Sequence, residues 1–187
     1  MKAAKIERSV TPVETMMKKD ESPYQKFILM TVASMVLMYG GMYLNTYEFA
    51  HVWWSQTRFY MTLIMGSLMA GTMLLFMRKM YKNKKKNGLI VGGSALLFLG
   101  ALYLVRSQNT IGDQLWMKGM IPHHSIAILT SERAHIQDLR VQNLAQRIVT
   151  AQREEIKEME WLIEDIKSRG AVTTPDQLSG RPVPEMK

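Results

Sequence analysis

The sequence predicts an all-α membrane protein: three transmembrane helices followed by a helical hairpin outside the membrane. Three observations carry that prediction. Three successive stretches lack Asp, Glu, Lys and Arg, basic residues cluster ahead of the first and between the second and third, and the last third is charged with helical periodicity. The totals conceal this arrangement, because 24 Lys and Arg against 16 Asp and Glu in 187 residues, net +8, would describe one basic soluble domain. It is the segregation of charge that is informative.

The uncharged stretches run from Phe27 to Tyr47, Phe59 to Met77 and Asn87 to Val105. At a rise of ~1.5 Å per residue each crosses a hydrocarbon core of ~30 Å. The chain therefore divides into a polar N-terminal segment (1–26), a transmembrane region (27–105, with spans 27–47, 59–77 and 87–105), a hairpin (106–169) and a tail (170–187). The first span reads as an anchor and not a cleaved signal, since 26 mostly polar residues precede it and no small-residue cleavage site follows. Aromatics at the span ends, Tyr43, Tyr47, Trp53, Trp54, Phe59, Tyr60 and Tyr81, suit the membrane interface.

Orientation follows from the short segments. Residues 78–86 carry six basic side chains and the N-terminal segment six more (Lys2, Lys5, Arg8, Lys18, Lys19, Lys26), which places both in the cytoplasm and residues 106–187 outside it. In a bacterium that is the inner membrane, with the C-terminal domain periplasmic or extracellular. The basic runs abut the spans without any recognition module, so they argue for lipid contact and topology and against nucleic acid. With no cysteine, a metal site must use His, Met and carboxylates.

The chain is methionine-rich, with 17 in all. Met61, Met65, Met69, Met73 and Met77 recur every fourth residue of the second span, and Met30, Met35, Met38 and Met42 lie in the first. Such rows serve as pliable apolar packing or as soft thioether donors. Gly66 with Ala70, Ser67 with Gly71, and Gly92-Gly93-Ser94 permit close helix approach.

The hairpin comprises helices from Asp113 to about Ala134 and from about Asp138 to Lys167, turning near Gln137, with Asp138 as N-cap of the second. On a helical projection Val141, Leu144, Ile148, Gln152, Glu155, Met159, Leu162 and Ile166 form one stripe. Asp113, Met117, Met120, His124, Ser131 and His135 align on the first helix. Pro122 predicts a kink that turns His123 toward His124. Adjacent imidazoles one turn from a thioether form a ligand cluster of copper type, Cu(I) in particular. Two helices cannot enclose a core, which predicts pairing of two hairpins into an antiparallel four-helix bundle, with the same chain's membrane helices as the alternative cover. After Gly170 the polar, proline-containing tail is expected to be disordered.

Residues 113–128, with their Met-Ile-Pro-His-His core at 120–124, resemble the signature of the DUF305 family, as do Leu144-Ala145, Ile148, Gln152, Glu155-Ile156, Met159 and Trp161-Leu162. The resemblance covers about residues 111–165 and implies a ferritin-like helical bundle of bacterial, often periplasmic, copper-associated proteins. It implies Met120, His123, His124 and Met159 as copper ligands, with Asp113, Gln152 and Glu155 at supporting polar positions; Met117 and His135 are further supporting candidates from the helical projection. Where the family continues Ala-Ile-x-Met, this chain has Ala127-Ile128-Leu129-Thr130, and so lacks one thioether. The function expected is copper sequestration, tolerance or transfer without catalytic turnover, in exchange with copper-handling proteins. Two other readings stand beside it: a di-iron enzyme, because Glu132 and His135 have Glu-x-x-His spacing, and a metal-free structural or partner-binding subunit.

Overall fold

The computed structural model describes residues 23–186, and the N-terminal segment with most of its basic residues lies outside that range. Every described regular element is helical. In chain order these are α1 (Pro23–Gly41), a short 3-10 turn (Phe49–His51), α2 (Gln56–Phe76), α3 (Lys84–Ser107), α4 (Asp113–Arg133), α5 (Leu139–Arg169) and α6 (Pro175–Gly180).

Two of the helices, α2 and α3, are long and apolar enough to cross a membrane. α3 buries only Ala101 and exposes Leu89, Leu96 and Leu99, a band suited to hydrocarbon and unsuited to water. The span expected over 27–47 differs. Its helix stops at Gly41, residues 42–45 form turns, and its first turn holds Tyr24, Gln25 and Lys26, so its uncharged part is shorter than α2 or α3. It nevertheless runs alongside α2 from end to end. At one end Phe27 packs with Ala70 and Leu74 of α2, while the Tyr24 hydroxyl donates to Asn87 Oδ1 of α3 at 2.9 Å; at the other, Arg58 Nη1 donates to the Met42 carbonyl at 2.7 Å.

The small residues of α2 behave as their size predicts. Gly66 and Ala70 are buried, and a Cβ at Gly66 would collide with the Met35 side chain, so this glycine lets α1 seat its thioether. Gly92 and Gly93 of α3 have open space where a Cβ would stand, and so do not serve close approach.

α4 and α5 form the antiparallel hairpin. Ser55, Asn83 and Asp138 cap α2, α3 and α5 by accepting a backbone N–H in the following turn. Met117, Ile121 and Ile128 of α4 share one apolar cluster with Val149, Ile156, Met159 and Ile163 of α5. The inner stripe holds as expected at Met159, Leu162 and Ile166, and departs from it toward the turn. Val141, Leu144 and Ile148 are exposed, flanking a groove with Thr130, Ser131 and Ile136, because the last turns of α4 offer small polar side chains that do not fill it. Val149, Ile156 and Ile163, two turns apart, join Met159 in the buried row.

The hairpin packs on the connection between α1 and α2. Tyr47 and Trp53 lie against its core, and Ser125, fully buried, accepts the Tyr47 backbone N–H at 2.7 Å and contacts His51 Nδ1 at 2.9 Å. Arg153 reaches from α5 to Glu132 at 2.6 Å and to the Tyr47 hydroxyl at 3.4 Å. Aromatics that suited the membrane interface are thus partly spent on the hairpin. The tail, expected to be disordered, also differs: Thr174 caps α6, and Arg181 returns to pair with Asp165 beside Arg169. Two guanidiniums on one buried carboxylate outweigh the entropy of the polar segment.

Candidate metal centre

His124 is the best-defined polar residue of the hairpin. Its ring is nearly buried, Nδ1 lies 2.8 Å from the Met120 carbonyl and Nε2 lies 2.7 Å from Glu155 Oε2. A carbonyl only accepts, so Nδ1 carries a proton, and the contact to Glu155 requires another between nitrogen and oxygen. Gln152 Nε2 donates to the same Glu155 oxygen at 3.1 Å and steadies it. Metal-binding histidines commonly have one ring nitrogen fixed by a carbonyl and the other presented forward. Here the forward position faces a carboxylate that is half-exposed.

The level of this pair has a geometric origin. Counting equal distances from the turn sets His124 opposite Thr150, yet it meets Glu155. Helical side chains slant toward their own N-terminus, so His124 covers a position nearer Ile121 and Glu155 one nearer Gln152. Those positions lie within one residue of equal distance from the turn at 134–138.

His123 belongs to a different surface. Pro122 is buried within α4 without interrupting it, and the two imidazoles stand edge to face with centroids 6.0 Å apart. His123 is exposed on a cavity of about 430 Å³ whose lining includes Trp116, Met120, Met42, Met61 and Arg58. The expected kink thus does not bring both rings onto one point. Met120 joins the two sites: its carbonyl orients His124, while its side chain packs against the hairpin core and lines the His123 cavity.

The other candidates divide cleanly. Met117 and Met159 are buried together in the apolar cluster. Asp113 is the first residue of α4, exposed, where a carboxylate suits the helix dipole, and lies three turns from His124. His135 is exposed in the loop beyond Arg133. The Glu-x-x-His pair is thereby split, since Glu132 is engaged by Arg153 and His135 is off the helix. Among the described residues no three of His, Asp and Glu converge, so a cation here would draw on thioethers as well.

Sequence reasoning did not find Met42, Met61 or His51 as neighbours of the hairpin, nor Ser125 as the residue that holds His51. The contacts of His51 and Ser125 span more than 70 residues and have no local signature.

A helical hairpin bearing a buried, carbonyl-oriented histidine beside an exposed one, mounted on apolar helices, is the class of protein these features define. The family described as "Domain of unknown function (DUF305)" matches residues 103–177. An uncharacterised protein of Acanthamoeba polyphaga mimivirus is 31% identical over 148 residues, covering 78% of this chain and 95% of that one. That alignment is longer than the hairpin and tail together, so it extends into the apolar helices. The chain belongs to the DUF305 family. No solved structure matches it.

Proposed function

We propose that this protein is a membrane-anchored metal-binding protein that sequesters or hands on copper, Cu(I) in preference, on the non-cytoplasmic side of a bacterial inner membrane. The observation that carries the reading is the His124 arrangement, in which the Met120 carbonyl fixes Nδ1 and directs Nε2 at the half-exposed Glu155 carboxylate. His123 and Met120 add an exposed imidazole and a thioether on the adjacent surface, and Met159 supplies a second sulfur from the core. Neutral nitrogen and sulfur donors favour a soft monovalent ion. Glu155 stands closer to the donor atom than a purely supporting group would, and is a co-ligand in this reading.

In the same proposal α1, α2 and α3 all cross the membrane, with the basic α2–α3 connection cytoplasmic. α1 supports a third crossing by packing against α2, from Phe27 beside Ala70 and Leu74 to the Met42 carbonyl held by Arg58. The exposed face of Leu139, Val141, Leu144 and Ile148 supports pairing with a second hairpin, since it lies beyond the cover supplied by Tyr47 and Trp53. Copper-handling proteins are the expected exchange partners.

A metal-free structural role is the second reading, favoured by the fact that His124 and Glu155 satisfy one another. Metal analysis of the purified full-length protein after exposure to Cu(I), Fe(II) and Zn(II) separates the two. Retained copper at or above one ion per chain supports the proposal, and a chain that retains none of the three ions supports the structural role.

A further inference from the structure

We propose a soft-metal site at the junction between the membrane helices and the hairpin, formed by Met42, Met61, Met120 and His123. These residues come from three separate parts of the chain, the turn just after α1, the first turns of α2 and the middle of α4, and line one cavity of about 430 Å³. Methionine usually fills irregular gaps. Here three methionines border a gap that they leave open, and an exposed imidazole borders the same space. Three thioethers and one imidazole, with no carboxylate on the wall, select for a soft ion.

Arg58 sharpens the choice of ion. It also lines the cavity, but its guanidinium donates to the Met42 carbonyl at 2.7 Å and stacks over the Tyr43 ring at 4.5 Å. It is committed to protein groups and leaves a fixed positive charge in the wall. Repulsion between that charge and a bound cation scales with the cation's charge, so a monovalent ion is tolerated better than a divalent one. Cu(I) fits both requirements.

The cavity persists because the hairpin sits close to the start of α2. A Cβ on Gly119 would come 3.3 Å from Ser55 Oγ, the N-cap of α2, so glycine permits this approach. Met61 is also the hairpin-end member of the four-residue methionine row in α2. Metal held here would bridge the membrane helices and the external hairpin, a position from which it passes between them.

This inference rests on the copper reading above and adds residues that the hairpin alone lacks. The test uses the full-length protein in detergent, with Cu(I) affinity measured by competition against a chromogenic chelator and the coordination shell by X-ray absorption. Wild type is expected to show sulfur scatterers together with nitrogen. Met42→Leu with Met61→Leu, close in volume, is expected to lower the sulfur count and weaken Cu(I) at least roughly tenfold, the scale on which supporting groups alter metal affinity. Met80→Leu, exposed in the α2–α3 connection, should leave both readings unchanged. A wild-type spectrum with nitrogen and oxygen scatterers alone, or an unchanged double variant, overturns the junction site and leaves the copper reading in place. A wild-type protein that binds no Cu(I) overturns both.

Discussion

His124 and Glu155 meet across the hairpin at 2.7 Å, and the imidazole is locked in that direction by the Met120 carbonyl on its other nitrogen. The pairing joins the two helices at the level of the Met-Ile-Pro-His-His segment. Glu155→Gln keeps a hydrogen-bonding group opposite Nε2 but removes the charge and the strong oxygen donor. The expected outcome is an unchanged far-UV circular dichroism spectrum with copper affinity reduced roughly tenfold or more. Equal affinity in competition titrations would remove Glu155 from the site.

Ser125 ties the hairpin to the connection between α1 and α2. Replacing it with Ala leaves the half-buried Tyr47 N–H without its partner beside a fully buried position and deletes the His51 contact. An unsatisfied buried donor costs about 1–3 kcal/mol. Thermal unfolding of the full chain should shift down accordingly, and proteolysis of the 42–55 connection should accelerate.

Much of this was legible in the sequence and some was not, for physical reasons. The absence of charge over 59–77 and 87–105 places α2 and α3, because exclusion of charge from hydrocarbon is a composition signal. The hairpin and its Asp138 cap follow from periodicity and a local capping residue. The side on which α5 buries its apolar row is not local: Ile148 and Val149 compete for it, and the small residues Thr130 and Ser131 opposite decide the outcome. Likewise, that His123 and His124 serve two surfaces depends on α4 remaining continuous through Pro122, which a tolerant buried environment allows. Met42 and Met61 could only be linked to the hairpin once its docking was visible.

Topology is open to labelling, since the chain has no cysteine. Ser55 is buried as the cap of α2, so the exposed positions Glu48, Lys85 and Ser168 are the sites to use. In intact cells an impermeant thiol reagent should modify single cysteines at 48 and 168 and spare 85. Labelling at 85 alone would invert the orientation.

The tail carries a pH signature. Burial acts to raise the Asp165 pKa, but hydrogen bonds and charge from Arg181 and Arg169 outweigh it and hold the carboxyl below its ordinary value. A group depressed on folding stabilises the docked tail fully above its unfolded value of about 3.9, and that stabilisation is lost as pH falls through the lower folded value. Tail docking should therefore be independent of pH near neutrality and weaken only in acid. Asp165→Asn should mimic the acid state at pH 7, read as faster cleavage after Gly170 by an added protease.

In the proposed function the two adjacent histidines of α4, His124 beside Glu155 and His123 on the neighbouring cavity, both serve copper. The most direct measurement is Cu(I) affinity of the full-length protein and of His123→Ala with His124→Ala, with helicity recorded for both. Loss of tight binding at unchanged helicity is the predicted result. A double variant that binds Cu(I) as tightly as the parent would contradict the account.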